Sequence, residues 1–393
     1  MAEEFDSTAD VPYLARDAKA IGPGGDEDLK AEDVGTEVEL IQSDVEPQVE
    51  ITEDGGATVG EENQQQDVAF LSNLAEVLDE SYLQSLSNEL LEKFENDKST
   101  REEWEQGYTK GLDLLGFKYE ERTRPFRGAS SVNHPMLAQA VTQFQAMAYV
   151  ELLPSDGPVR TQVVGANSEK LQQSAERVKD YMNYEITHVM EDYNPEMDQL
   201  LFQLPLSGSA FKKIYYDEVQ GRATSKFIPA EDVIVPYGAS DLDSCDRITQ
   251  IVKLSINDLR KKQISGFYRD IELEGYEGYE ASDVQEKKNE IDGERPNDYA
   301  MDDMTELLEM HIDLDLEGFE DINPKDNQPS GIKLPYIVTV DRGSNKILSV
   351  YRNYNQNDIL RKKNEYFVHY KFLPGLGFYG FGLIHMIGGL SRT

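Results

Sequence analysis

One cysteine, one tryptophan and no long apolar run are what this 393-residue chain has least of. The single thiol, Cys245, excludes an internal disulfide framework and suits a reducing compartment. No stretch approaches the roughly eighteen apolar residues that mark a membrane-crossing helix. The opening Met1-Ala2-Glu3-Glu4-Phe5-Asp6 has neither the basic nor the apolar part of a secretory leader, so the expectation is an intracellular protein. Basic residues are scarce: 38 Lys and Arg stand against 75 Asp and Glu, a formal charge of −37. A surface so negative repels phosphate and anionic lipid, which disfavours sequence-reading contact with DNA and binding to membranes. What the chain does have is core material, since 39% of it is hydrophobic and 9% aromatic.

The acid is unevenly spread. Residues 1–67 hold twenty Asp and Glu against three Lys and Arg, with glycine-rich breaks and no sustained period, and read as a disordered acidic tail. From Val68 a helical segment is expected to about residue 128. Leu71, Leu74, Val77 and Leu78 have helical spacing, and Leu83, Leu86, Leu90, Leu91 and Phe94 repeat it after Asp79. Ser99 with Glu102, and Thr100 with Glu103, have the spacing of capping boxes and predict a helix starting there and ending at Gly116. Pro135 suits the first residue of a helix through Leu152.

The body is expected over residues 129–393. Its most regular helix is 168–193, where Leu171, Ala175, Val178, Met182, Ile186 and Val189 form a stripe that predicts burial against a core. Another helix follows Pro195 and ends near Gly208. Short β-prone runs then take over at 211–216, 223–227, 233–235, 248–254, 308–316, 336–340, 347–351 and 366–372. Ser255, with Asp258 three residues on, caps a short helix through Lys262, Asp341-Arg342-Gly343-Ser344-Asn345 has hairpin chemistry, and the polar 272–303 reads as a mobile insertion. Helices first and strands after predict α+β: N-terminal helices, then a mixed, mainly antiparallel β-rich body.

Candidate chemistry fails on particular residues. Gly375-Leu376-Gly377-Phe378-Tyr379-Gly380 matches G-x-G-x-x-G, yet two aromatics crowd the turn and the acidic partner about twenty residues on is missing. Asp313, Asp315, Glu317 and Gly318 open like a calcium loop, but Pro324 stands where a bidentate Glu is needed. His134, His188, His311, His369 and His385 have no metal-ligand spacing, and Cys245 has no base beside it. No catalytic residue, metal or cofactor is expected. Two basic clusters stand out, Arg260-Lys261-Lys262 at a helix end and the loop carrying Arg122, Arg124 and Arg127. The first suits a helix C-terminus, and the second is a candidate subunit interface against an acidic neighbour.

Several phrases, taken in order, resemble the portal protein of short-tailed double-stranded-DNA bacteriophages. They are Arg101-Glu102-Glu103-Trp104, Gly111-Leu112-Asp113-Leu114-Leu115-Gly116, Arg124-Pro125-Phe126-Arg127-Gly128-Ala129, and the run from Leu204 to Lys213. Pro229-Ala230-Glu231-Asp232, Val235-Pro236-Tyr237-Gly238, Tyr370-Lys371-Phe372-Leu373-Pro374-Gly375 and Phe378-Tyr379-Gly380-Phe381-Gly382 complete the set. The likeness runs from about Leu83 onward, without the 272–303 insertion. It implies a wing-like part of a ring subunit, typically one of twelve, at one capsid vertex of the virion after assembly in the host cytoplasm. The implied partners are further copies of the chain, the terminase large subunit, the major capsid and scaffolding proteins, a head–tail adaptor, and double-stranded DNA passing without sequence recognition. Portal chains of this kind continue into channel-lining and terminase-docking regions, so the expectation for 393 residues is an incomplete C-terminus and weak or aberrant oligomers. The rival readings are another virion structural protein and, further off, a nucleotide-binding enzyme using the Gly375 turn.

Overall fold

Asp79 starts the first long helix by accepting a hydrogen bond from the Ser81 N–H at 2.8 Å. The computed structural model describes residues 50–51, 57–58, 69–115, 135–165, 168–217, 220–273, 282–294, 304–322 and 328–391. It divides into two units, Met1–Ala69 and Phe70–Thr393. In the first, the described residues are β1 (Glu50–Ile51) and β2 (Ala57–Thr58), an antiparallel pair. The rest of the acidic 1–67 segment lies outside the described residues.

In the second unit α1 spans Glu80–Thr100, and Leu83, Leu86, Leu90 and Phe94 are buried along it at helical spacing. Arg101 breaks the helix with φ −107° and ψ 7°, and α2 (Glu102–Leu112) follows. The expected capping boxes are not formed. The apolar stripe holds α1 together through Thr100, so Ser99 and Thr100 lie in its last turn and their hydroxyls donate back to the Asn96 and Asp97 carbonyls. α2 instead begins on Glu102, Glu103 and Glu105, carboxylates that suit a helix N-terminus.

α3 (Met136–Leu152) starts directly after Pro135, α4 spans Glu169–Tyr184, and α5 (Tyr193–Ser207) stops at Gly208, whose φ of 88° is costly for any residue with a Cβ. The chain turns there into β3 (Ser209–Asp217), β4 (Arg222–Pro229) and β5 (Val233–Ile234). β6 (Arg247–Ser255) and α6 (Ile256–Ile264) follow, with Ser255 accepting from the Asp258 N–H as expected. α7 (Asp283–Asp292), β7 (Met304–Leu314), β8 (Leu334–Asp341), β9 (Lys346–Arg352), β10 (Phe367–Lys371) and α8 (Leu383–Ser391) complete the order.

Every strand pairing is antiparallel, in sheets ordered β10-β3-β4 and β5-β6-β7-β8-β9. The fold is α+β. The β8–β9 hairpin closes as its chemistry predicts: the Asp341 carboxylate accepts from the Ser344 N–H and hydroxyl, and Asn345 takes φ 57°. One core gathers Tyr108, Leu112, Leu137, Val141, Leu206 and Ile384 from α2, α3, α5 and α8. A second joins Phe211, Ile228, Val233, Ile248, Phe367 and Phe378 across the two sheets.

Two expectations are corrected. Within the 272–303 segment expected as a mobile insertion, residues 283–292 form α7, which Ser282 caps and which buries Val284 against the α2 core, while 274–281 and 295–303 lie outside the described residues. Its acid-rich sequence hid two apolar anchors, Val284 and Ile291, and two cations in place to pair, Lys287 with Asp113 and Lys288 with Glu231. The stripe of α4 is also not core. No residue of α4, nor of the π-helical turn Glu185–Val189 that continues it, is buried.

Candidate assembly surface

Arg122, Arg124, Arg127 and His134 lie outside the described residues. The other basic cluster is dispersed by the fold. Arg260 pairs with Asp270, Lys261 with Asp258 at 2.8 Å, and the Lys262 ammonium lies over the Phe267 and Tyr268 rings at 5.1 and 5.4 Å. Among the described residues no group of three or more His, Cys, Asp or Glu side chains is placed to hold a metal ion. The Cys245 thiol donates to the Arg247 carbonyl, and burial pushes its pKa up.

The Gly375–Gly380 turn connects β10 to α8, but β10 runs antiparallel to β3 rather than in a parallel βαβ unit. Its aromatics fill the space a ligand would need. Phe378 is buried and stacks on Phe211 at 5.9 Å, and Tyr379 stacks on Trp104 at 4.7 Å. Gly380 and Gly382 pack backbone to backbone against Gly208 and Leu206, where any Cβ would collide.

Sequence reasoning missed the node around Arg101. Its guanidinium is buried and donates to the carbonyls of Ala230, Glu231 and Val233 and to the Tyr379 hydroxyl, with Glu105 as counter-ion at 2.7 Å. Asp97, one turn earlier on α1, pairs with Arg247 of β6. No motif announces such a site, because most of its acceptors are backbone oxygens. The signal present was only an arginine at a helix break. Phrases that carry the resemblance converge here: Arg101-Trp104 contacts both Pro229-Asp232 and Phe378-Gly382, and Gly208 closes against the last.

Other buried charges tie the sheets together. Lys213 of β3 donates to both oxygens of Glu309 on β7, at 2.5 and 2.6 Å, and His311 meets the same carboxylate at 2.8 Å. Burial alone would raise the Glu309 carboxyl, but Lys213 and His311 overturn it and hold the group well below the usual range. Burial lowers His311, against the pull of Glu309. Lys212 points the other way, with its ammonium 4.1 Å from the Tyr193 ring centroid and no hydrogen-bond partner. Burial lowers it to about 8, with Glu196 and Asp192 opposing. His369 lies between Phe211 and Phe378, and burial, helped by Lys371, brings it down to about 3.

Against these filled interiors, two helices leave apolar faces uncovered among the described residues, α4 and α3. Ser168 caps α4 by accepting from the Leu171 N–H, and the helix has its main contacts only with the turn that continues it. Asn183 clamps the Val159 backbone through both its amide atoms, and Thr161 donates to the Ala175 carbonyl, so the preceding loop tethers it. Leu171 and Val178 are 49% and 54% exposed. Tyr181 and Met182 extend the same stripe outward.

α3 is apolar on two faces. Leu137, Ala138 and Val141 enter the core, while Met136, Ala140, Gln143, Met147 and Val150 line the other side at steps of four, three, four and three. Met147 is 68% and Val150 72% exposed. The helix carries one charged residue, Glu151, and α4 carries three acids and three bases. Both faces are therefore near neutral in a chain of formal charge −37. Two helix-wide apolar seams of this kind can receive further helices. No family model matches the chain, and no curated protein matches it.

Proposed function

We propose that the chain is a structural assembly subunit that associates with copies of itself, in the manner of the portal rings its sequence resembles. The observation that carries this is the exposed apolar stripe of α4, together with the outer seam of α3, on a chain in which the apolar faces of α1, α2 and α5 are packed. Water contact along such a stripe is unfavourable, and association removes it. The convergence of the portal-like phrases on the Arg101–Tyr379 node supports the reading, since it gives those residues a common structural task.

The charge agrees with a conduit that DNA passes. Each phosphate contact adds affinity, and a chain of formal charge −37 makes few of them. On this reading the ring has a terminase, capsid and scaffolding proteins and a head–tail adaptor as its partners, and its place is one vertex of a phage capsid. Sedimentation velocity of the purified chain over a wide concentration range tests the proposal. Species heavier than one chain that grow with concentration support it, and a single monomer boundary throughout would overturn it.

A further inference from the structure

The assembly reading leaves open which surface meets which, and on this the exposed helices are specific. We infer that the contact between copies is head-to-tail, with the α4 stripe of one chain lying along the outer α3 seam of the next. The inference rests on the assembly reading and adds the two faces that meet.

Both seams are exposed in the same chain, so they do not cover each other within it. They match in length, 17 residues for α3 and 16 for α4, each rising roughly 25 Å at about 1.5 Å per residue. Each is a narrow stripe at alternating steps of three and four, the pattern that packs against a single neighbouring helix. Charge selects the occupant. Two copies of a chain with formal charge −37 repel across most of their surfaces, and α3 with one acid and α4 with balanced charge meet without that penalty. The two seams are also unlike each other: α3 has Gln143 within its seam and is flanked by Gln139 and Thr142, and α4 is flanked by Lys170, Arg177 and Lys179. Two different faces in contact make a heterologous interface, which propagates around a ring.

Cross-linking in the full chain tests this. In a Cys245→Ala background, Met147→Cys is made in one preparation and Val178→Cys in another, and a short bismaleimide is added to each alone and to their mixture. A covalent dimer is expected in the mixture and not in either alone. A dimer from Val178→Cys alone would show like faces meeting and overturn the inference. Absence of product in the mixture, while sedimentation shows multimers, would overturn the inference and leave the assembly reading intact. A chain that sediments only as monomer overturns both. As a second readout, Val178→Glu should weaken self-association by roughly thirtyfold. Circular dichroism identical to that of the parent keeps this loss separate from misfolding, and unchanged association would count against the α4 seam.

Discussion

The guanidinium of Arg101 donates to the hydroxyl of Tyr379 at 3.1 Å, joining residues 278 positions apart. The same hydroxyl donates to the Val233 carbonyl at 2.9 Å. One bond pair thus closes the break between α1 and α2 onto the small sheet element β5 and onto the glycine turn before α8.

That node should dominate stability. Arg101→Ala strands three backbone carbonyls and the Glu105 carboxylate, and is expected to cost about 3–5 kcal/mol. Tyr379→Phe removes hydrogen bonds but keeps the stack on Trp104, for a cost of about 1–2 kcal/mol. Urea unfolding measures both. Equal losses from the two variants would show that the Tyr379 hydroxyl, and not the guanidinium, carries the node.

Lys212 is held at a cost. Its folded pKa of about 8 lies below the 10.5 of an unperturbed lysine, so folding expels a proton between those values and stability rises with pH across that window. Lys212→Met keeps the packing without the charge, and is expected to stabilise by about 1–3 kcal/mol at pH 7. The gain over the parent should shrink as pH rises from 8 towards 10.5. Unfolding at pH 7 and pH 10 checks it, and a gain independent of pH would assign the effect to packing alone.

His369 works at the acid end. It stays neutral in the folded state down to about 3, while the unfolded group protonates near 6.5, so its contribution is present above 6.5 and lost as pH falls between the two. Denaturant midpoints from pH 7 to pH 4 should fall more steeply for the parent than for His369→Phe. Parallel slopes would contradict this.

The two faces of α3 should respond differently. Leu137→Ala opens a cavity in the core and is expected to cost about 2–5 kcal/mol, whereas Met147→Ala on the outer seam should change monomer stability by less than about 0.5 kcal/mol. Thermal unfolding of dilute protein separates them, and comparable losses would mean that Met147 is packed.

Much of the architecture was legible. Runs of β-prone residues bounded by turn residues located β6, β8 and β9 to within about two residues, because those side chains pack well on a sheet. Short-range chemistry also read well: Ser255 capping α6, Gly208 ending α5 and Asp341 folding the hairpin each act within a few residues. What failed depended on distant context. Ser99 and Thr100 have a capping pattern, but the stripe upstream decided where α1 ends. Val284 and Ile291, two helical turns apart, are too sparse a signal within their acidic surroundings, though these two anchors and two ion pairs hold α7. The α4 stripe was read correctly as amphipathic and wrongly as core, because a pattern records that a face avoids water and not whose surface covers it. The Arg101 site was invisible because backbone carbonyls leave no trace in residue identity.

Native mass spectrometry of the full chain across a concentration series tests the central claim most directly. Self-assembly predicts species at integer multiples of 44.5 kDa, their share rising with concentration and falling on Val178→Glu substitution. A spectrum holding only the 44.5 kDa monomer at every concentration would contradict it.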